Sequence, residues 1–272
     1  MARSIVPAAD EVLDREFPVL DHGFVRLVDY LGGDDRIVSA ARVSYGRGTK
    51  TKREDSKLID YLVRNSHTSP LEQVILTFHV KLPIFVARQW VRHRTARLNE
   101  VSGRYSVVQD EFYVPSIEVI RGQSASNRQS RSDEELDSSV QERVRDQVTR
   151  DQRVVYTSYE DMLNSGVARE LARINLPLST YTQWYWQIDL HNLFNFIKLR
   201  LDDHAQLEIR EYARVIAELT QRVAPVAYEA FEEHVLHGKK LSRTTIQRLR
   251  GFIEEVPDAS LRGALLSLLS SD

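Results

Sequence analysis

The sequence predicts an α+β fold: a single elaborated domain with a small mixed or antiparallel sheet and several helices. Two stretches, Leu76–Leu82 and Thr180–Ile188, alternate apolar and polar residues with the period of a strand buried on one face. Between and beyond them, apolar residues recur at three- and four-residue spacing, the period of a helix facing a core. No internal repeat is visible, and a chain of 272 residues is long enough to bury one sizeable core.

Residues 1–21 read as a loose N-terminal arm, and Gly23 to Tyr30 as a short strand. Gly33-Asp34-Asp35 opens a helix with Ile37, Ala40, Ala41 and Ser44 on one face, and Asp55 to Val63 forms another. Ser69-Pro70-Leu71-Glu72 has the form of a capping box, with proline at the first helical position. After the strand through Leu82, Pro83 starts a helix with Ile84, Ala87 and Val91 as its apolar stripe. Gln89, Arg92 and His93 lie at i, i+3 and i+4 on that helix; Arg92 and Arg94 address one ligand only if it ends there, in the polar segment 97–106. The Ser/Arg/Gln-rich stretch 121–136 reads as a surface loop. A long charged helix follows to about Asn164, and then the second strand. Leu190, Leu193, Phe194, Ile197 and Leu201 share a helical face, and helices continue from about Gln206 to His237. The body thus runs over 22–237, and a tail, 238–272, carries one or two amphipathic helices.

Composition removes several functions. The net charge of −2 gives no bulk attraction to nucleic acid or to an anionic membrane. No apolar run approaches the 18 or so residues of a membrane span, and the N-terminus lacks a secretory apolar core, so cytoplasmic residence is expected. With no cysteine there is no disulfide, no thiolate metal site and no cysteine nucleophile, and no metal is read from the sequence.

The densest chemistry lies in Arg92-His93-Arg94, followed by Asn99, Glu100, Ser102, Gly103, Arg104 and Tyr105. Guanidinium forks bind phosphate or a carbonyl edge, and a glycine lets backbone N–H groups approach a ligand. This suits a phosphorylated, hydrogen-bonding ligand such as a nucleotide, whereas most short charge runs are only solvated surface. The run reads RHR-x7-S, extended as RHR…NE-x-S-x-RY, and resembles the signature of the flavin-dependent thymidylate synthases. Gly23-Phe24-Val25, Ala41-Arg42-Val43-Ser44, Phe78 to Trp90, and Leu199-Arg200 through His204-Ala205-Gln206 resemble the same family in the same order, over roughly residues 22–235.

The resemblance implies reductive methylation of dUMP to dTMP, with tightly bound FAD, NADPH as reductant and methylenetetrahydrofolate as one-carbon donor. It also implies a homotetramer whose active sites are shared between subunits, with neither nucleic acid nor membrane as partner. Carried over residue by residue, it gives dUMP Gln89, Arg92, Glu100, Ser102, Gly103, Arg104, Arg173 and Arg200, with Arg200 as the catalytic activator of the uracil ring. To FAD it gives Ser44, His67, Ser69 and Glu72 near the first helices, and Arg92, His93, Arg94, Asn99 and Glu100 in the motif. Asp189, His191, Asn195 and His204 complete the flavin set. The chain departs from the family pattern at Asp189 and His191, where asparagine and arginine are expected, and at Arg97, where serine is frequent. Without a cysteine, the thiolate route to uracil activation is closed, so a bound flavin would have to supply the hydride. A nucleotide- or RNA-binding regulator and a catalytically inactive family member are the alternatives, and neither requires flavin.

Overall fold

The computed structural model describes residues 5–43, 52–125 and 130–269. Ser44 lies outside the described residues, as do 126–129 of the stretch read as a loop.

The elements run α1 (Pro7–Asp10), β1 (Glu16–Val19), β2 (Gly23–Leu31), α2 (Asp34–Arg42), α3 (Lys52–Arg64), β3 (Ile75–Pro83), α4 (Ile84–Trp90) and β4 (Arg97–Glu100). They continue with β5 (Arg121–Gln123), β6 (Arg131–Glu135), α5 (Ser138–Asn164), α6 (Arg169–Ala172), β7 (Tyr181–Asp189), α7 (Leu190–Leu201), α8 (Leu207–Val223), α9 (Pro225–Phe231), α10 (Arg243–Glu254) and α11 (Ala259–Leu268). Five strands form one sheet in the order β1-β2-β3-β7-β4, every neighbour antiparallel, and β5 and β6 pair separately. The α+β expectation holds, and the mixed-sheet option gives way to a purely antiparallel one.

The alternation in β3 and β7 works as its period dictates. Leu76, Phe78, Val80 and Leu82 are buried, as are Thr182, Trp184, Trp186 and Ile188 from the neighbouring strand. Helices α4, α7 and α8 cover that face. At its centre Trp90, fully buried, meets Trp184, Trp186, Phe196 and Tyr212, with ring centroids 4.6–6.0 Å away. Emptying such a site costs roughly 3–5 kcal/mol. This cluster anchors the end of α4 from which Arg92, His93 and Arg94 emerge. The buried stripe of α4 is Val86, Ala87 and Trp90; Val91, expected in it, follows the last helical residue and is 37% exposed.

Several expectations are corrected. The described part of the N-terminal arm, residues 5–21, is not loose: Ala9 and Val12 join the core, β1 pairs with β2, and Tyr30 donates to Asp10 at 2.6 Å. The segment 97–106 does not simply end the helix, because Arg97–Glu100 form the edge strand β4 against β7. Within the stretch 121–136, read as a loop, Arg121–Gln123 and Arg131–Glu135 pair as antiparallel strands, tied down where Arg131 meets Glu208, whose side chain is 1% exposed. Ser69 does not cap: Pro70 precedes a single 3-10 turn, Leu71–Gln73, and Thr68 Oγ1 donates to Glu72 at 3.1 Å. A proline at 70 and a strand starting at Ile75 leave no length for a longer helix.

Helices α10 and α11 pack on each other and contribute no buried residue. Among the described residues, no helix is long and apolar enough to cross a membrane.

Candidate active site

The face of the sheet away from the helical layer carries a row of polar and aromatic residues. Arg26, His79, Tyr185 and Asn99 stand opposite one another on β2, β3, β7 and β4. The Arg26 guanidinium donates to His79 Nδ1 at 2.8 Å, so His79 is neutral there and presents its other nitrogen to Gln183 Oε1 at 3.1 Å. His79 stacks on Tyr185 with centroids 4.9 Å apart, and burial together with Arg26 lowers its pKa.

A cavity of about 810 Å³ opens beside this row, lined among others by Asn99, Glu100, Gly103, Arg173 and Tyr185. After β4, Ser102 makes the turn: its carbonyl accepts from the N–H of Tyr105 and its Oγ from the N–H of Arg104. Arg173 and Val108 pack closely on Gly103, a Cβ there falling 3.0 Å from Val108 Cγ2 and 3.2 Å from Arg173 Cδ. Glu100 has one oxygen held by Thr182 Oγ1 at 2.6 Å. Arg104 lies 3.8 Å from Glu170 with both side chains more than half exposed, a pair worth little in water.

A second cavity, of about 290 Å³, lies at the far end of β4, between the end of α4 and the outer side of α7. Arg92, His93, Arg94, Asn195 and Arg200 line it. Helix α4 stops at Trp90, which frees Arg92 and Arg94 to face one cleft, as the sequence required. Arg200 Nε donates to His93 Nε2 at 3.0 Å, and its Nη2 to the Gln89 carbonyl at 3.2 Å. Burial and the charge of Arg200 push the His93 pKa down to about 4, so it is neutral near pH 7.

Positive charge is in excess in the smaller cleft, which Arg92, Arg94 and Arg200 line with no carboxylate, whereas the larger holds Glu100, Glu111 and Glu170 beside Lys81 and Arg173. Among the described residues, the guanidinium groups of Arg92, Arg94, Arg173 and Arg200 have no carboxylate within ion-pair distance. Arg173 and Arg200 are partly buried, where an unneutralised cation is costly unless a ligand completes it, whereas Arg92 and Arg94 are exposed.

The remaining candidates are placed as follows. Asp189 caps α7, accepting from the Asn192 N–H at 3.0 Å. His191 is half-buried in the first turn of α7. His67 is exposed, edge-on to Tyr61, in the segment before the 3-10 turn that packs on α7. Ser69 and Glu72 are exposed on the same segment. His204 does not share a helical face with Arg200: α7 ends at Leu201, and His204 turns outward to bond Asp202 at 2.8 Å. The sequence reading missed Gln206, which takes a hydrogen bond from Gln89 across 117 residues, and Glu170 and Tyr185 in the larger cavity. Gln206 stood inside a matching stretch, so it was visible but had no assigned partner. Tyr185 sits on the solvent-side phase of β7, which the strand period alone does not make functional.

The family model described as "Thymidylate synthase complementing protein" matches residues 26–226. A flavin-dependent thymidylate synthase of Treponema denticola is 57% identical over 251 residues, covering 92% of this chain and 94% of the relative. One of Thermus thermophilus is 56% identical over 236 residues, covering 87% and 85%. Among solved structures, a UMP/dUMP methylase PolB from Streptomyces cacaoi bound with 5-Br dUMP superposes with a TM-score of 0.72 at 33% identity, over 80% of this chain and 97% of that one. A family model that takes in β3, β4, β7 and the lining of both clefts, and relatives matching over most of their length, agree with the arginine-rich motif: the chain belongs to the flavin-dependent thymidylate synthases.

Proposed function

We propose that this protein converts dUMP to dTMP by reductive methylation, with FAD bound tightly, NADPH as the reductant and methylenetetrahydrofolate as the one-carbon donor. The observation that carries the reading is the set of cleft guanidinium groups without carboxylate partners, Arg92, Arg94, Arg173 and Arg200, in a chain of this family. Such groups fit the phosphates of a nucleotide and of a flavin dinucleotide, each charge-assisted bond being worth roughly 1.5–3 kcal/mol.

Arg173, Arg104, Ser102 and Gly103 hold the dUMP phosphate, and Glu100, with one oxygen already fixed by Thr182, orients the sugar or base. Gln89, Arg92 and Arg200 meet the pyrimidine. Arg94, His93, Asn99 and Asn195 face the flavin, with Ser44, His67, Ser69, Glu72, Asp189, His191 and His204 along its edge. The flavin supplies hydride when bound.

The protein works as a homotetramer with shared sites. In support, Arg94 stands three residues before β4 and Gly103 three after it, and the two lie on different cavities. A strand of this length spans about 13 Å, and a second subunit that brings its complementary cleft would complete each half.

An anaerobic turnover assay with dUMP, methylenetetrahydrofolate and NADPH tests the reading. It should yield dTMP from a yellow protein. Absence of flavin absorbance after reconstitution, with no NADPH oxidation, overturns it and leaves a nucleotide-binding or assembly role.

A further inference from the structure

Arg200 is held by one edge of its guanidinium. Nε donates to His93 Nε2 at 3.0 Å and Nη2 donates to the Gln89 carbonyl at 3.2 Å. These two nitrogens share the side edge of a planar group with five N–H donors. Two acceptors on that edge fix both the position and the plane, because a single bond would let the group rotate about it. Three N–H bonds remain, two on Nη1 and one on Nη2, and one from each nitrogen forms the end edge. Arg200 lines the smaller cavity, so that edge is what the group has left to offer a ligand.

Both acceptors are themselves fixed. The His93 ring meets Phe196 edge-on at 4.9 Å, and its backbone N–H donates to the Trp90 carbonyl at 3.0 Å. Gln89 is tied to Gln206 through its side chain and lies in the last turn of α4, directly before the buried Trp90. Since Nε2 of His93 accepts, its single ring proton is on Nδ1, the neutral tautomer. The depressed pKa of about 4 agrees with that state.

We propose that His93 is a positioning residue: its Nε2 aims the Arg200 guanidinium so that the Nη1/Nη2 edge meets the carbonyl edge of the pyrimidine. The identity of that ligand rests on the function proposed above; the aim is set by this chain alone. Aim matters because a hydrogen bond weakens steeply once its angle falls toward about 120°. It matters more here, where no cysteine activates the ring and an oriented positive edge must stabilise charge developing on it.

The test uses two substitutions of His93 in the full-length flavin-loaded protein, each also made in an Arg200→Ala background. His93→Phe keeps a flat ring against Phe196 and removes the acceptor, whereas His93→Gln restores an acceptor oxygen at similar reach. With rates expressed per bound flavin, His93→Phe should lower kcat for dTMP formation by roughly 10- to 100-fold with a smaller change in KM, the scale of a misplaced reacting group. His93→Gln should recover most of that loss. In the Arg200→Ala background the effect of His93→Phe should shrink to about two-fold or less, since coupled residues fail to add. Equal losses in both backgrounds, or a His93→Gln as slow as His93→Phe, overturn the proposal.

A crystal structure of His93→Phe decides the matter without turnover. Arg200 should leave the Gln89 carbonyl or lose its single orientation, and an unmoved guanidinium overturns the proposal. Failure of the wild-type protein to make dTMP sinks the functional reading instead.

Discussion

Arg173 lies across Gly103. A Cβ at residue 103 falls 3.2 Å from Arg173 Cδ, 3.5 Å from its Nη1 and 3.0 Å from Val108 Cγ2. The glycine is therefore the floor on which an unpaired guanidinium rests in the larger cavity, and its close approach is to protein as much as to ligand.

Gly103→Ala should displace Arg173 by a few tenths of an ångström or rotate it out of the cavity. The expected result is a 10-fold or greater rise in KM for dUMP, about 1.4 kcal/mol, with little change in melting temperature, because the site lies at the surface. Steady-state kinetics and thermal melting measure both. Wild-type KM in this variant would free Arg173 from any part in binding dUMP.

Ser102 is the hydroxyl of the motif, and covalent catalysis by it is not expected. A nucleophilic serine needs a general base within hydrogen-bond reach. Ser102 Oγ instead accepts from the Arg104 N–H at 3.3 Å and serves a turn. Ser102→Ala should weaken dUMP binding by a few-fold and leave dTMP formation measurable. A pyrimidine adduct on Ser102 in mass spectrometry would show the opposite.

His93 gives a pH dependence with a definite sign. Its folded-state pKa, about 4, lies below the ordinary value of 6.5, so the unfolded chain binds the proton more readily. The stability it contributes is present above about pH 6.5 and is lost as pH falls toward 4. Imidazole NMR should show no titration of His93 between pH 5 and 8. A midpoint near 6.5 would mean that the Arg200 contact is not formed in solution.

How much of this was legible in the sequence follows from burial. Strands β3 and β7 showed themselves because Phe78, Val80, Trp184 and Trp186 pack on helices while Thr77, His79, Gln183 and Tyr185 do not. Strand β4 did not, since Arg97, Leu98, Asn99 and Glu100 are all exposed at the sheet edge and no alternation marks them. The same holds for β1, with Val19 its one buried residue and Pro18 within it. The motif residues were readable as a set, but their division between two cavities was not. That division comes from β4 standing between them, and from partners such as Arg200 and His93 that lie 107 residues apart. No local pattern encodes such a pairing.

Strand β6 is fastened to the body through Arg131. Arg131 pairs with Glu208, whose carboxylate is buried at the start of α8 and also accepts from Tyr113 Oη at 3.1 Å. Removing the arginine strands a buried charge, whereas a neutral amide at 208 is tolerable. Arg131→Ala should destabilise the protein by about 1–3 kcal/mol, less than a fully buried pair because the arginine is one-third exposed. Arg131→Ala with Glu208→Gln should recover part of the loss. Equal melting temperatures for wild type and Arg131→Ala would mean that the clamp contributes nothing.

Arg200 is the residue on which the proposed chemistry turns. With no cysteine to add to the ring, carbon 5 becomes nucleophilic only as charge builds on the N3–C4 carbonyl edge, and a fixed guanidinium in a cleft is the available stabiliser. Burial disfavours its charged form, yet a guanidinium keeps its proton at any working pH, so the field it supplies is constant. Arg200→Lys retains the charge but replaces the planar, two-pronged edge with three donors from a single nitrogen; it should keep some dUMP affinity with impaired turnover. Arg200→Ala should lose roughly 2–4 kcal/mol of transition-state stabilisation, by analogy with the loss of an oxyanion donor. Flavin reduction by NADPH should change much less, because that half-reaction builds no charge on the pyrimidine. Stopped-flow absorbance of the flavin and quenched-flow measurement of dTMP separate the two steps. Formation of dTMP at the wild-type rate by Arg200→Ala under saturating dUMP would place the activating group elsewhere in the cleft.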